Sequence, residues 1–343
     1  MISPKKILIV RTDRIGDVVL SLPMAEIIKN KFPVCHISYL VKEYTSSLLD
    51  DNQFIDEVIN VIEKNNEINF VKNLKQIKSK RFDTCIVVNP TFRISLMMFL
   101  AGIKKRIGTG YRLYSFLFNE KVFEHRKYGE KHELEYNLNL LSKIGIDPVE
   151  AKRNIRFNLL VSKSGEEKIA SILKENGVYP NNKLVIIHPG SGGSSVDFPK
   201  EKMIELTKRL SSLDNVSIVL TGSKNEIELC KKFEVNNPII NFVGILDLSL
   251  LKSLIKKADL FISNSTGPMH IAAALGVYVI TFFPKILSCS QNRWGPYTDK
   301  KTIFIPTIDC NNCNRQQCEK LDCMNSIDIG KVFDECKSVL KIL

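Results

Sequence analysis

In the stretch RTDRIGDVVLSLP (residues 11–23), Gly16 and Asp17 follow an apolar run, KKILIV. A carboxylate where a buried strand gives way to a helix suits two roles. It caps the helix by accepting from its first amides, or it takes a proton from an attacking hydroxyl as a general base. Three stretches in the second half carry residues that hold anions. HPGSGGSS (188–195) lets backbone N–H groups and hydroxyls approach a phosphate closely, through Ser191, Gly192, Gly193 and Ser194. SNSTGPMH (263–270) sets Ser265, Thr266 and Gly267 at a helix start, with Pro268 near its first position. Orphan amides and the helix dipole favour a phosphate there. His270, one turn in, either faces the same anion or packs beneath the loop. Glu226, ending TGSKNE (221–226), either receives ribose hydroxyls or is an ordinary charge at a helix N-terminus.

Short apolar runs alternating with amphipathic stretches predict βαβ units and parallel sheets. Strands are expected at 6–10, 36–41, 55–61, 84–89, 183–190, 216–222, 239–244, 259–264 and 278–283. Helices are expected at 18–32, 69–81, 132–145, 164–177, 199–213, 224–233, 248–258 and 267–276, with Gly145 closing the third. The three anion-friendly stretches each lie where a strand ends, and ligands of such sheets bind outside the carboxyl ends of the strands. Two Rossmann-like domains are expected, residues 1–155 and 156–323, and a diphosphate loop in the second with a carboxylate in the first suggests nucleotide-sugar chemistry, the first domain taking the acceptor. A terminal helix within 324–343 is expected to cross back to the first domain.

With 343 residues, two domains are the expectation. The 49 Lys and Arg against 37 Asp and Glu give a net charge of +12, which suits an anionic partner or reflects solvated lysines. The basic residues are scattered, with no arginine–aromatic block for nucleic acid. No apolar stretch approaches the roughly 20 residues that span a bilayer, and nothing reads as a signal peptide. A cytoplasmic protein is expected. No GxGxxG follows the first strand, and neither a Walker loop nor HExxH is present, so dinucleotide and NTPase readings fit poorly. Cys310, Cys313, Cys318 and Cys323 follow C-x2-C-x4-C-x4-C spacing. They are either a closed structural site for zinc or iron or reduced thiols in a compact loop.

In order and spacing, ILIVRTDRIGDVVLSLP, VIIHPGSGGS, LTGSKNE, SNSTGPMHIAAALG and CNNCNRQQCEKLDCMNSI resemble glycosyltransferase family 9, the ADP-heptose–lipopolysaccharide heptosyltransferases. The likeness spans essentially the whole chain. It implies an α/β GT-B architecture, two Rossmann-like domains with parallel sheets facing across a cleft. It implies inverting transfer of heptose from ADP-L-glycero-β-D-manno-heptose to an inner-core lipopolysaccharide acceptor, with no cofactor for catalysis. By this resemblance Asp17 is the general base and Thr266, Gly267 and Pro268 hold the donor diphosphate beside His270. Glu226 lies near the ribose, and Ser191 falls in the donor loop. Such an acceptor is anionic and membrane-borne, so peripheral contact at the cytoplasmic face of the inner membrane is expected. Arg14 and Arg93, near strand ends, are the cations expected to meet the acceptor. RLYSFLF (112–118) either touches lipid or packs in the core.

Two positions depart from the family pattern. Val196 stands where many members carry a Lys or Arg that neutralises the diphosphate, leaving the glycine-rich amides or another cation, Lys200 or Lys202, as substitutes. Ser265 stands where many members have an Asp before the Thr-Gly pair. The alternatives are a GT-B transferase using another nucleotide sugar and a non-catalytic nucleotide-sugar-binding protein.

Overall fold

The apolar runs become parallel strands because each is buried along nearly its whole length, as strands covered on both faces must be. The computed structural model describes residues 3–65, 67–179, 181–233, 239–308 and 314–342. The chain divides into two units, Met1–Arg126 with Lys131–Leu160, and Lys127–Glu130 with Val161–Leu343. The switch near residue 160 falls slightly beyond the expected boundary at 155, after an extended stretch that ends the first unit.

The first unit contains β1 (Lys6–Val10), β2 (His36–Val41), β3 (Glu57–Asn60), β4 (Thr84–Val87), β5 (Lys105–Thr109) and β6 (Glu120–Val122). They form one parallel sheet in the order β3-β2-β1-β4-β5-β6. A small antiparallel hairpin pairs Glu63–Lys64 with Glu67–Ile68. The first unit's longer α-helices are α1 (Ile15–Val19), α2 (Pro23–Lys31), α3 (Phe70–Ser79), α4 (Phe92–Leu100) and α5 (Glu133–Asn139). Asn69 caps α3 by accepting from the Lys72 amide, and Thr91 caps α4 from the Ile94 amide. Leu8, Val10, Leu40 and Val87 of the sheet pack with Ile77 of α3 and Ile94 and Met97 of α4.

The expected helix over 18–32 is two helices. Pro23 lacks the amide to continue a ladder and instead opens α2 at its first position. The expected helix over 132–145 tightens into a 3-10 turn from Leu140, then closes at left-handed Gly145 (φ 84°).

The second unit repeats the order with β7 (Lys183–His188), β8 (Val216–Leu220), β9 (Ile240–Asn241), β10 (Leu260–Asn264), β11 (Tyr278–Phe282) and β12 (Lys301–Phe304), arranged β9-β8-β7-β10-β11-β12. Its main helices are α6 (Lys163–Glu175), α7 (Lys200–Ser211), α8 (Leu248–Lys257), α9 (Gly267–Ala274), α10 (Arg315–Lys320) and α11 (Ile329–Leu340). The expected helix over 224–233 is a short α-turn flanked by 3-10 turns.

The terminal helix α11 packs in the second unit's core. Val332, Cys336 and Leu340, four residues apart on one face, are buried with Leu206 and Leu210 of α7 in the second unit's core. That spacing makes an apolar stripe that faces α7 and β10. Among the described residues, no helix is long and apolar enough to cross a membrane.

Candidate functional site

In the first unit, Asp17 sits in the first turn of α1, directly behind β1. Arg14 occupies the N-cap, and no side chain caps that helix, so Asp17 is not spent on capping. Its Oδ1 instead accepts from Arg11 Nη2. Arg11 is almost wholly buried, although its sequence context suggests a surface cation. Its Nε lies 2.8 Å from Asp13 Oδ1 and its Nη2 3.5 Å from Glu133 Oε1, while Nη1 donates to Asn137 Oδ1 at 3.3 Å. Glu133 also pairs with Arg126. Burial opposes the Arg11 charge, but Asp13, Asp17 and Glu133 outweigh it and hold the guanidinium firmly protonated. Burial, with the neighbouring Asp17 charge, pushes the Asp13 carboxyl up to about 6 against the opposing pull of Arg11 and the Asn89 amide. Asn89, just beyond β4, donates to Asp13 Oδ2 at 2.9 Å. The Tyr44 hydroxyl donates to the Asp13 carbonyl at 2.7 Å.

A cation locked among three carboxylates fixes the direction in which each of them points. Sequence reasoning missed Asp13, Glu133 and Asn137. The signal for the last two was polar residues four apart on the otherwise apolar face of Leu134 and Leu138. Arg14 is exposed at the α1 N-cap. Arg93, in the first turn of α4, lies 3.6 Å from Glu67 in a solvent-facing pair of little energetic weight. Neither is among Arg11's partners.

In the second unit, the three anion-friendly stretches converge at the carboxyl ends of β7, β8 and β10. Gly192 (φ 56°) and Gly193 (φ 75°) form a tight turn closed by the Ser194 amide donating to Ser191 O at 3.1 Å. Two successive left-handed residues make this a turn that favours glycine at both centres. Ser194 Oγ donates to both Ser191 O and Ser265 O, each at 2.8 Å, and so ties the first stretch to the third. Buried Asn264 adds a second staple. Its Oδ1 accepts from the Phe198 amide at 2.7 Å, and its Nδ2 donates to Pro189 O at 2.6 Å.

Glu226 Oε2 accepts from the Ser223 amide at 2.7 Å and hydroxyl at 2.8 Å, completing a capping box. Its other oxygen crowds Gly190, where a Cβ would fall 1.7 Å from Oε1. The helix-terminal role is therefore real, and it places the carboxylate against the β7 turn as well. His188 Nδ1 lies 3.0 Å from Thr221 Oγ1. Burial lowers the His188 pKa, with the Glu226 charge pulling the other way. Thr266 is the N-cap of α9 without a capping side-chain bond, and Pro268 follows in the first turn. The dipole and leading amides of α9 suit an anion there. His270 is buried and meets the edge of Trp294 at 6.5 Å between ring centroids. Nothing in the sequence pointed to the Asn264 staple or to the His188–Thr221 pair.

Cys318 and Cys323 are buried in the second unit's core, while Cys310 and Cys313 lie outside the described residues. Among the described residues, no three His, Cys, Asp or Glu side chains gather as a metal site.

Two doubly wound parallel sheets, each with polar loops at its strand ends, have the GT-B architecture seen in the E. coli ADP-heptose lps heptosyltransferase II structure. The two agree with a TM-score of 0.80 and 20% identity over 98% of each chain. The chain belongs to glycosyltransferase family 9 (heptosyltransferase), whose model matches residues 70–323. It is a glycosyltransferase. A Haemophilus influenzae protein described only as a glycosyltransferase is 32% identical over 315 residues, covering 88% of this chain and 89% of that one. The lipopolysaccharide core heptosyltransferase OpsX of the same organism is 25% identical, covering 82% of this chain and 79% of its own length.

Proposed function

We propose that this enzyme transfers heptose from ADP-L-glycero-β-D-manno-heptose to an inner-core lipopolysaccharide acceptor with inversion. The observation that carries the donor half is the Ser194 link between the Gly192–Gly193 turn and the start of α9. It gathers fixed amide and hydroxyl dipoles at one sheet end, where a departing diphosphate gains most from preorganised donors. The description of the E. coli structure that shares this fold names ADP-heptose and lps, which supports the coarser part of this reading.

In the reaction, an acceptor hydroxyl oxygen attacks the anomeric carbon of the heptose. The bond from that carbon to the β-phosphate oxygen breaks, and ADP leaves. Asp17 takes the hydroxyl proton, with Arg11 orienting its carboxylate. Ser191, Gly192, Gly193, Thr266, Gly267 and Pro268 line the diphosphate side, with Ser265 and His270 alongside, and Glu226 receives the ribose hydroxyls. Arg14 and Arg93 are the cations offered to the anionic acceptor. No cofactor takes part.

Calorimetry with ADP, UDP and GDP, followed by transfer assays with ADP-heptose and an inner-core acceptor, tests this reading. ADP binding with heptose transfer is the expected result. ADP binding without heptose transfer favours another nucleotide sugar, a reading that Ser265 keeps in view, and binding of none of the three overturns it.

A cytoplasmic enzyme docked on the inner membrane fits the first unit's surface. Leu113 is fully exposed, Phe116 is 70% exposed, and Phe92, Tyr111 and Phe123 are also exposed. Tyr111 packs edge-on against Phe123 at 5.6 Å and Phe92 against Tyr114 at 5.9 Å. Exposed Arg93, Lys104 and Arg112 lie close by in sequence and suit anionic lipid. The RLYSFLF stretch divides its side chains, since Leu117 and Phe118 are buried.

For Cys310, Cys313, Cys318 and Cys323, a structural zinc or iron remains our reading of the spacing, four thiolates being a suitable set for either metal. Elemental analysis of untagged protein should find about one metal per chain. Metal-free, fully folded protein would overturn it.

A further inference from the structure

A cation beside the amide and hydroxyl dipoles would further stabilise a departing diphosphate, and Lys200 and Lys202, the substitutes for the charge missing at Val196, are otherwise engaged. Val196 is turned into the second unit's core with Phe198 and Met203. Lys200 pairs with its neighbour Glu201 at 3.2 Å. Lys202 donates to the carbonyls of Asn325 and Ile327 at 2.5 and 2.8 Å, bracing the segment before α11. A different cation reaches the glycine turn. From the first position of α10, Arg315 extends its guanidinium so that Nη1 donates to Gly193 O at 2.8 Å, while Nε pairs with Glu319 at 2.7 Å.

The Arg315 side chain is half exposed, and it borders an open cavity whose wall includes Val196, Asp197 and Lys202. Two contacts thus orient the guanidinium at the tip of the turn while leaving it in touch with solvent. Glu319, with Asp197, favours its charged form against the opposing effect of burial. A planar guanidinium carries five N–H donors, so two engaged nitrogens leave Nη2 for a phosphate oxygen.

We propose that Arg315 supplies the positive charge that binds the donor's β-phosphate and stabilises the departing nucleoside diphosphate, replacing the cation missing at Val196. The proposal rests on the donor reading above. It also gives the cysteine-bearing segment a part in donor binding, since that segment delivers the arginine.

The test is calorimetry of the full-length protein with ADP and AMP, which differ only in the β-phosphate. Arg315→Ala should weaken ADP by about 10- to 100-fold, the range of one charged hydrogen bond or ion pair. AMP affinity should change less than about threefold. Arg315→Gln retains a donor for Gly193 O and removes only the charge, so it should lose ADP selectivity nearly as fully, whereas Arg315→Lys should keep part of it. If Arg315→Gln kept the wild-type ADP-to-AMP ratio, Arg315 would be a brace for the turn and the proposal would fail alone. A wild-type protein that prefers UDP or GDP is tested with the matching monophosphate. One that binds no nucleoside diphosphate overturns the donor reading and this proposal together.

Discussion

Asp17→Asn should lower the transfer rate by about a hundred- to ten-thousandfold, the usual contribution of a positioned general base. Nucleotide affinity should stay close to that of the wild type, because every donor-binding candidate lies on the second unit. Asparagine matches aspartate in shape and still accepts from Arg11 through its carbonyl, so the substitution removes proton affinity with little change in packing. Arg11 keeps Asp13 and Glu133 as charged partners, so the fold should survive. Single-turnover transfer assays beside ADP calorimetry read the two effects separately. Near-wild-type turnover in Asp17→Asn would leave Asp17 a structural partner of Arg11 and nothing more.

The second large effect is on stability. Arg11→Leu should cost about 3–5 kcal/mol, the usual price of stripping one partner from a buried ionic cluster. Asp13, Asp17 and Glu133 would then crowd an apolar side chain, with Arg126 left as the cation paired to Glu133. The loss should depend on pH in a stated direction. The Asp13 carboxyl is already raised to about 6 in the fold, so its ionisation disfavours the native state. The stability contributed by protonated Asp13 is therefore fully present below its unfolded value near 4 and fades as pH rises through 6. Removing the guanidinium that opposes this shift should steepen the fall, so Arg11→Leu should be distinctly less stable at pH 8 than at pH 5. Urea denaturation at both pH values measures this. A variant equally stable at both would show that the carboxylates are compensated by something other than Arg11.

Much of the framework was legible in the residues. Runs such as KILIV and KLVIIH are apolar throughout because both faces of a central parallel strand are covered. The glycine turn, the α9 start and Glu226 stood out because the backbone conformations and amides that bind anions demand particular residue types locally. Failures came where local patterns were ambiguous. The 18–32 stretch kept an apolar face on both sides of Pro23, so one helix looked continuous where two exist.

The sequence by itself determined the alternating α/β character, the strand ends where polar loops collect and the identity of Asp17 as the carboxylate to watch, since each follows from near-neighbour chemistry. Only the tertiary structure decided what surrounds those groups. Arg11 and Arg14 are both arginines three residues apart, yet one is sealed among carboxylates and the other is exposed. Glu133 and Asn137 reach Arg11 across more than a hundred residues of chain. Arg315 reaches Gly193 across a similar span. Charge and burial act through space, and partners so distant in sequence leave no local pattern to read.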